Sequence, residues 1–108
     1  MKNELTYHQK LNLMTRLGDL YRCCVRRLDV AEASGRDMRS PSIRDDYEMK
    51  VLMERTLADC SRETRLITTR DFLEVSSRDW YRVYFSRSQY YRLRRKAVDE
   101  FLRCLDNS

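Results

Sequence analysis

The 108-residue sequence predicts an all-α fold. The expected architecture is an N-terminal antiparallel helical hairpin over residues 1–60 and a C-terminal helix-turn-helix-like tri-helical unit over 61–108, four to five helices in one domain. Three observations carry this expectation. With two Gly and one Pro, the chain has too few turn formers for the reversals of a β-rich fold. Apolar residues recur at three-four spacing, the helical period, over long stretches. Ser or Thr stands ahead of each stretch, where a helix N-cap belongs. Hydrophobic residues reach 42% against 36% charged, enough for one modest core and too many for a disordered chain.

Thr6, with Gln9 three residues on, forms a capping box and starts the first helix. Leu13, Leu17, Leu20, Cys24, Leu28 and Ala31 share one stripe, and Tyr7, Leu11, Met14, Tyr21 and Val25 widen it. So broad a face suits a helix gripped by two partners. Gly18 inside the pattern costs about 1 kcal/mol against Ala and points to a close helix crossing. The helix should stop at Ser34-Gly35, since Gly is favoured just past a helix end. It then runs roughly 28 residues, on the order of 40 Å.

Arg36 to Ser42 reads as the one loop of any length. Ser40 as cap and Pro41 in the first turn open a second helix, about Ile43 to Asp59. Tyr47, Val51, Leu57 and Ala58 are its expected inward residues, with Met49, Met53 and Cys60 as a second line. Asp45, Asp46 and Glu48 fall where the helix dipole favours acids. A short connection makes these two helices an antiparallel hairpin. Ser61 caps a third helix to about Leu73, with Leu66, Ile67, Phe72 and Leu73 facing in; without Gly or Pro at Cys60-Ser61, one fused helix is the alternative.

Ser76 to Leu105 reads as a short helix, a turn and a longer helix. Ser77 is placed to cap Asp79–Tyr84, with Trp80 as the core plug. Ser86 and Gln89 form a second capping box for the long helix. Tyr90, Leu93, Ala97, Phe101 and Cys104 share its apolar face; Ser88, Arg92, Arg95 and Asp99 lie opposite, with Tyr91 and Lys96 on the edges. Between Ser86 and Val98 it carries Arg87, Arg92, Arg94, Arg95 and Lys96 and no acid. A turn followed by a helix with polar, basic first turns is how a recognition helix meets a major groove. A solvated basic face is the plainer account of the same residues.

The run Trp80-Tyr81, then Tyr84-Phe85-Ser86-Arg87-Ser88-Gln89-Tyr90-Tyr91-Arg92, then Ala97 and Phe101, resembles the C-terminal signature of a family of small proteins of mycoplasmas and Firmicutes. It is also similar to the ArpU-type phage transcriptional regulators, whose C-terminal part resembles a sigma-factor region 4 helix-turn-helix. Leu5-Thr6-Tyr7-His8-Gln9-Lys10-Leu11 looks like the usual start of such chains, and the likeness does not extend over Glu32 to Arg55. The resemblance implies a DNA-linked role on a phage or mobile element and no particular enzymatic activity.

Charge agrees with an acidic polymer as partner. The formal net charge is +5, and only four of the 22 basic residues are lysines, leaving 18 arginines. Arg gives bidentate contacts to phosphate and guanine that Lys cannot, although a GC-rich genome also favours Arg codons. No run approaches the roughly 20 apolar residues of a membrane span, and the polar start around Glu4 is unlike a signal peptide, so a cytoplasmic protein is expected. Cys23, Cys24, Cys60 and Cys104 lack C-x-x-C spacing and have only His8 as companion, which leaves no expected metal site or disulfide. Glycine-rich phosphate loops and nucleophile–base sets are absent, so the chain is not expected to be an enzyme or to need a cofactor.

Taken together, the residues predict a double-stranded DNA-binding protein, a transcriptional regulator of a phage or mobile element. Arg87, Ser88, Gln89, Tyr91, Arg92, Arg95 and Lys96 are the expected DNA contacts, and a homodimer through the hairpin would supply affinity that one small unit lacks. The main rival is a protein-interaction module whose basic face meets an acidic surface, such as a phage-encoded inhibitor of a host nucleoprotein. The third is an RNA or single-strand binder stacking bases on Tyr81 and Tyr91.

Overall fold

In the computed structural model, which describes residues 4–107, the chain is all-α. Helix α1 spans Tyr7–Ala33, α2 Pro41–Ala58, α3 Arg62–Thr68 and α4 Arg87–Asp106. A π-helical turn, Thr69–Leu73, continues α3, and a 3-10 turn, Trp80–Val83, precedes α4. The break at Cys60-Ser61 separates α2 from α3. The short helix expected over Asp79–Tyr84 is this single 3-10 turn, and its N-cap is Asp79 rather than Ser77. Among the described residues no helix is long and apolar enough to cross a membrane.

Both capping boxes form. Thr6 Oγ1 accepts the Gln9 N–H at 3.1 Å while Gln9 Oε1 accepts the Thr6 N–H at 2.9 Å. At the far end of α1, Gly35 adopts φ +69°. Its N–H bonds Glu32 O at 3.2 Å and the Arg36 N–H bonds Ala31 O at 3.0 Å, a Schellman stop. Pro41 then occupies the first turn of α2.

The hairpin is antiparallel, as its cross-links show. Late in α1, Arg27 Nε and NH2 grip both Asp46 oxygens at 2.8 and 2.7 Å, early in α2. Nearer the middle, Tyr21 Oη donates to Glu54 at 2.7 Å. The Arg27 guanidinium holds the Asp46 carboxyl below its usual range. The acids expected to answer the dipole of α2 lie beyond its first turn, and Asp46 serves the helix–helix seam instead.

The stripes are rotated from the simple wheel. Met14, Gly18, Cys24, Leu28 and Ala31 form the buried line of α1, whereas Leu13 and Leu20 are exposed. On α2, Tyr47 and Ala58 face outward, and Ile43, Met53 and Thr56 are buried. Two partners pressing α1 on adjacent sides put Gly18, rather than a leucine, at the centre of its contact. Thr56 can be inside because its hydroxyl donates to Leu52 O at 2.7 Å. Leu17 packs half-buried on the core. Leu17→Ala is therefore expected to cost about 2 kcal/mol and Leu20→Ala only about 0.5 kcal/mol in urea denaturation, so the larger cost that burial of both would bring is not expected at Leu20.

The main core joins all the long elements. Met14, Met53, Cys60, Phe72, Leu73, Val98 and Phe101 cluster there. A second cluster, Ile67, Trp80, Tyr81, Tyr90 and Ala97, lies between α3, the 3-10 turn and α4, and a third, Leu28, Ala31 and Ile43, closes the hairpin tip. α1 crosses the π turn at Gly18, where an added Cβ would stand 2.1 Å from Phe72 O. One turn on, Arg22 NH1 donates to that same carbonyl. A helix leaves its last carbonyls without intrahelical partners; here a neighbouring arginine satisfies one of them.

Candidate nucleic-acid interface

The start of α4 is held from beneath by one carboxylate. Asp71, in the π turn, accepts the Trp80 indole N–H at 2.7 Å and the Tyr90 phenol O–H at 2.5 Å. Arg94 Nε lies 3.5 Å from the same group, whose side chain is only 11% exposed. Tyr90 stacks flat on Tyr81, centroids 4.0 Å apart and planes 5° apart, and meets Trp80 edge-on at 5.9 Å. Burial first, and then the Asp71 bond, push the Tyr90 phenol well above its ordinary range, so it stays a donor. At the N-cap, the Ser86 hydroxyl accepts the Gln89 N–H at 3.2 Å and Gln89 Oε1 accepts the Ser86 N–H at 3.0 Å.

On this support the outer side of α4 faces solvent from Arg87 to Lys96. Arg87, Ser88, Gln89, Tyr91, Arg92, Arg95 and Lys96 are all exposed. Their roles differ. Among the described residues, no hydrogen bond or ion pair engages the side chains of Ser88, Arg92 or Lys96. Arg87 sits 5.9 Å over the Tyr91 ring, a partner it can leave. Gln89 has its carbonyl committed to the cap, so only its amide N–H2 can reach a base edge. Arg95 lies 4.1 Å over the Tyr7 ring of α1, and one turn on, Lys10 of α1 bonds Asp99 at 2.7 Å. Burial pushes the Tyr7 phenol up against the pull of Arg94 and Arg95. The hairpin thus touches this helix from Arg95 onward and leaves its first two turns open.

Of the aromatics weighed for base stacking, Tyr81 is 7% exposed and Tyr91 48%. Tyr91 alone of that pair is available. Beside it opens a cleft of about 1040 Å³ whose walls include Arg22, Arg70, Arg78, Arg82, Arg87 and Arg94. These arginines come from four elements and an intervening loop, and only the fold brings them together. Asp71 is the residue that sequence reasoning passed over. Its signal was an acid four residues past Ile67, on the face that should be apolar.

The cysteines are also rearranged by the fold. Cys23 and Cys24 stay in the hairpin, while Cys60 and Cys104 meet although far apart in the chain. Burial, with the Cys104 thiol alongside, pushes the Cys60 thiol up to about 12. Glu100, one turn before Cys104, accepts the Ser61 N–H at 2.8 Å and the Ser61 and Thr64 hydroxyls at 2.8 and 2.6 Å. Desolvation raises its carboxyl, but these donors outweigh it and hold the carboxyl below its usual range. Compared with known proteins, the chain matches no family model, and no similar curated protein or solved structure was found.

Proposed function

We propose that this protein binds double-stranded DNA with α4 in the major groove, and serves as a transcriptional regulator of a phage or mobile element. The observation that carries the reading is the acid-free, solvent-exposed face from Arg87 to Lys96, mounted on the Asp71–Trp80–Tyr90 cluster. Ser88, Arg92 and the Gln89 amide lie in the first turns, where base edges are read, and Arg87, Arg95 and Lys96 flank them as phosphate anchors. The cleft past Tyr91, whose lining holds six arginines against the three acids Asp71, Glu74 and Asp79, extends this surface with an excess of positive charge. A dimer through the hairpin fits the outward Leu13 and Leu20, at 37% and 40% exposure on the same side of α1. Such a dimer would double the contacted surface.

The test is a mobility-shift titration on random-sequence and selected duplexes at several salt concentrations. Affinity should fall steeply with salt, as counterion release requires. Arg87→Ala with Arg92→Ala should leave helical content and Tm unchanged and weaken duplex binding at least about tenfold. Arg95→Ala is the poorer variant, because it also removes the contact with Tyr7. Absence of duplex binding at low salt would replace this reading with the protein-interaction module, in which the same face meets an acidic protein. A preference for single strands that is lost in Tyr91→Ala would replace it with a stacking mode.

A further inference from the structure

We propose that Cys60, Glu100 and Cys104 form a binding site for a soft divalent cation of the zinc class, at the seam where α2 and α3 meet α4. Their ligand atoms, two sulfurs and a carboxylate oxygen, all lie within 4.8 Å of one another. Two thiolates and one carboxylate suit zinc or cadmium and discriminate against magnesium and calcium, which prefer oxygen. In a tetrahedral zinc site the sulfurs stand roughly 3.8 Å apart, so the groups need draw in by no more than about 1 Å. That is a side-chain adjustment.

The placement follows from ordinary chain geometry. Glu100 and Cys104 are one turn apart on α4 and share a face. Cys60 reaches them from the break between α2 and α3, its sulfur bonded to Thr56 O at 3.3 Å on the core side. Glu100 also has the outer support that metal-binding carboxylates use: its three donors from Ser61 and Thr64, two on Oε1 and one on Oε2, fix its orientation and leave one lone pair on Oε2 for an ion. Glu100 and Cys104 are partly exposed, which gives an ion a path in and leaves a fourth position for water. Binding replaces the two S–H protons, which go to solvent: M²⁺ plus two thiols gives the dithiolate complex and two H⁺. The bound ion would pin the α2–α3 junction to α4 beside the Glu100 hydrogen bonds that already join them.

The site does not depend on the DNA-binding reading. Its test uses the full chain, kept reduced with a phosphine and titrated with cadmium, which reports thiolate ligation by an ultraviolet charge-transfer band. Saturation at one ion per chain is expected, with a Tm that rises as zinc is added. Cys104→Ser should abolish the band while circular dichroism shows a folded chain, and Glu100→Gln should weaken binding about tenfold. The double variant Cys23→Ser with Cys24→Ser should keep the band. No saturable band in the wild-type chain, a band that survives Cys104→Ser, or one lost with Cys23 and Cys24 would each overturn the proposal.

Discussion

Asp71→Ala should lower stability by about 3–5 kcal/mol, the range for removing one member of a buried charged set. The carboxylate accepts the Trp80 and Tyr90 donors at once and faces Arg94. Its loss leaves two buried donors without their acceptor and removes the carboxylate 3.5 Å from the Arg94 guanidinium. Urea denaturation followed by Trp80 fluorescence reads the loss directly, since the indole N–H is one of the orphaned groups. Tyr90→Phe should cost less, about 1–2 kcal/mol, and the pair should be strongly non-additive because both act on one hydrogen bond. An Asp71→Ala protein within about 1 kcal/mol of wild type would show that the cluster stands by apolar packing alone.

Gly18→Ala should be the next most damaging change, although alanine is the better helix former by about 1 kcal/mol. The new Cβ would stand 2.1 Å from a backbone oxygen, that of Phe72, and no rotamer can relieve it. α1 must then lift from the π turn, which also stretches the Arg22 bond to the same carbonyl. A net loss of roughly 2–4 kcal/mol is expected, the upper part of the range for overpacking. Gly35→Ala is the informative contrast. Nothing lies within 4 Å of its Cβ position, so its cost is only the left-handed backbone at φ +69°, about 1 kcal/mol. Equal effects at the two glycines in thermal melts would mean that the crossing is looser than its geometry.

Local signals in the sequence were read correctly where the physics is local. The two capping boxes, the Gly35 stop, Pro41 in the first turn of α2 and the inward Ile67, Phe72 and Leu73 all depend on neighbours within a few residues. Which side of a broad apolar helix is innermost depends on where its partners press. Leu13, Leu20 and Tyr47 accordingly fell outside while Met14 and Thr56 fell inside. The exposed face of α4 was legible because an acid-free basic run seldom packs inward. The meeting of Cys60 with Cys104, the Asp71 hub and the arginine cleft were not legible, because each is made by residues brought together only by tertiary packing.

The contact between Lys10 and Asp99 joins residues 89 apart, whereas Leu28, Ala31 and Ile43 meet across a single tight reversal. Loop-closure entropy grows as roughly 1.5 RT ln n, so closing the tip of the hairpin costs less chain entropy than closing the Lys10 clasp. Were the first turns of α1 to peel from α4, Arg95 would lose its contact with Tyr7, while the bonds of Asp71 to Trp80 and Tyr90, made within a short span of chain, would be untouched. The surface that we assign to DNA would therefore keep its shape through such an opening, with Arg95 freed from its aromatic partner.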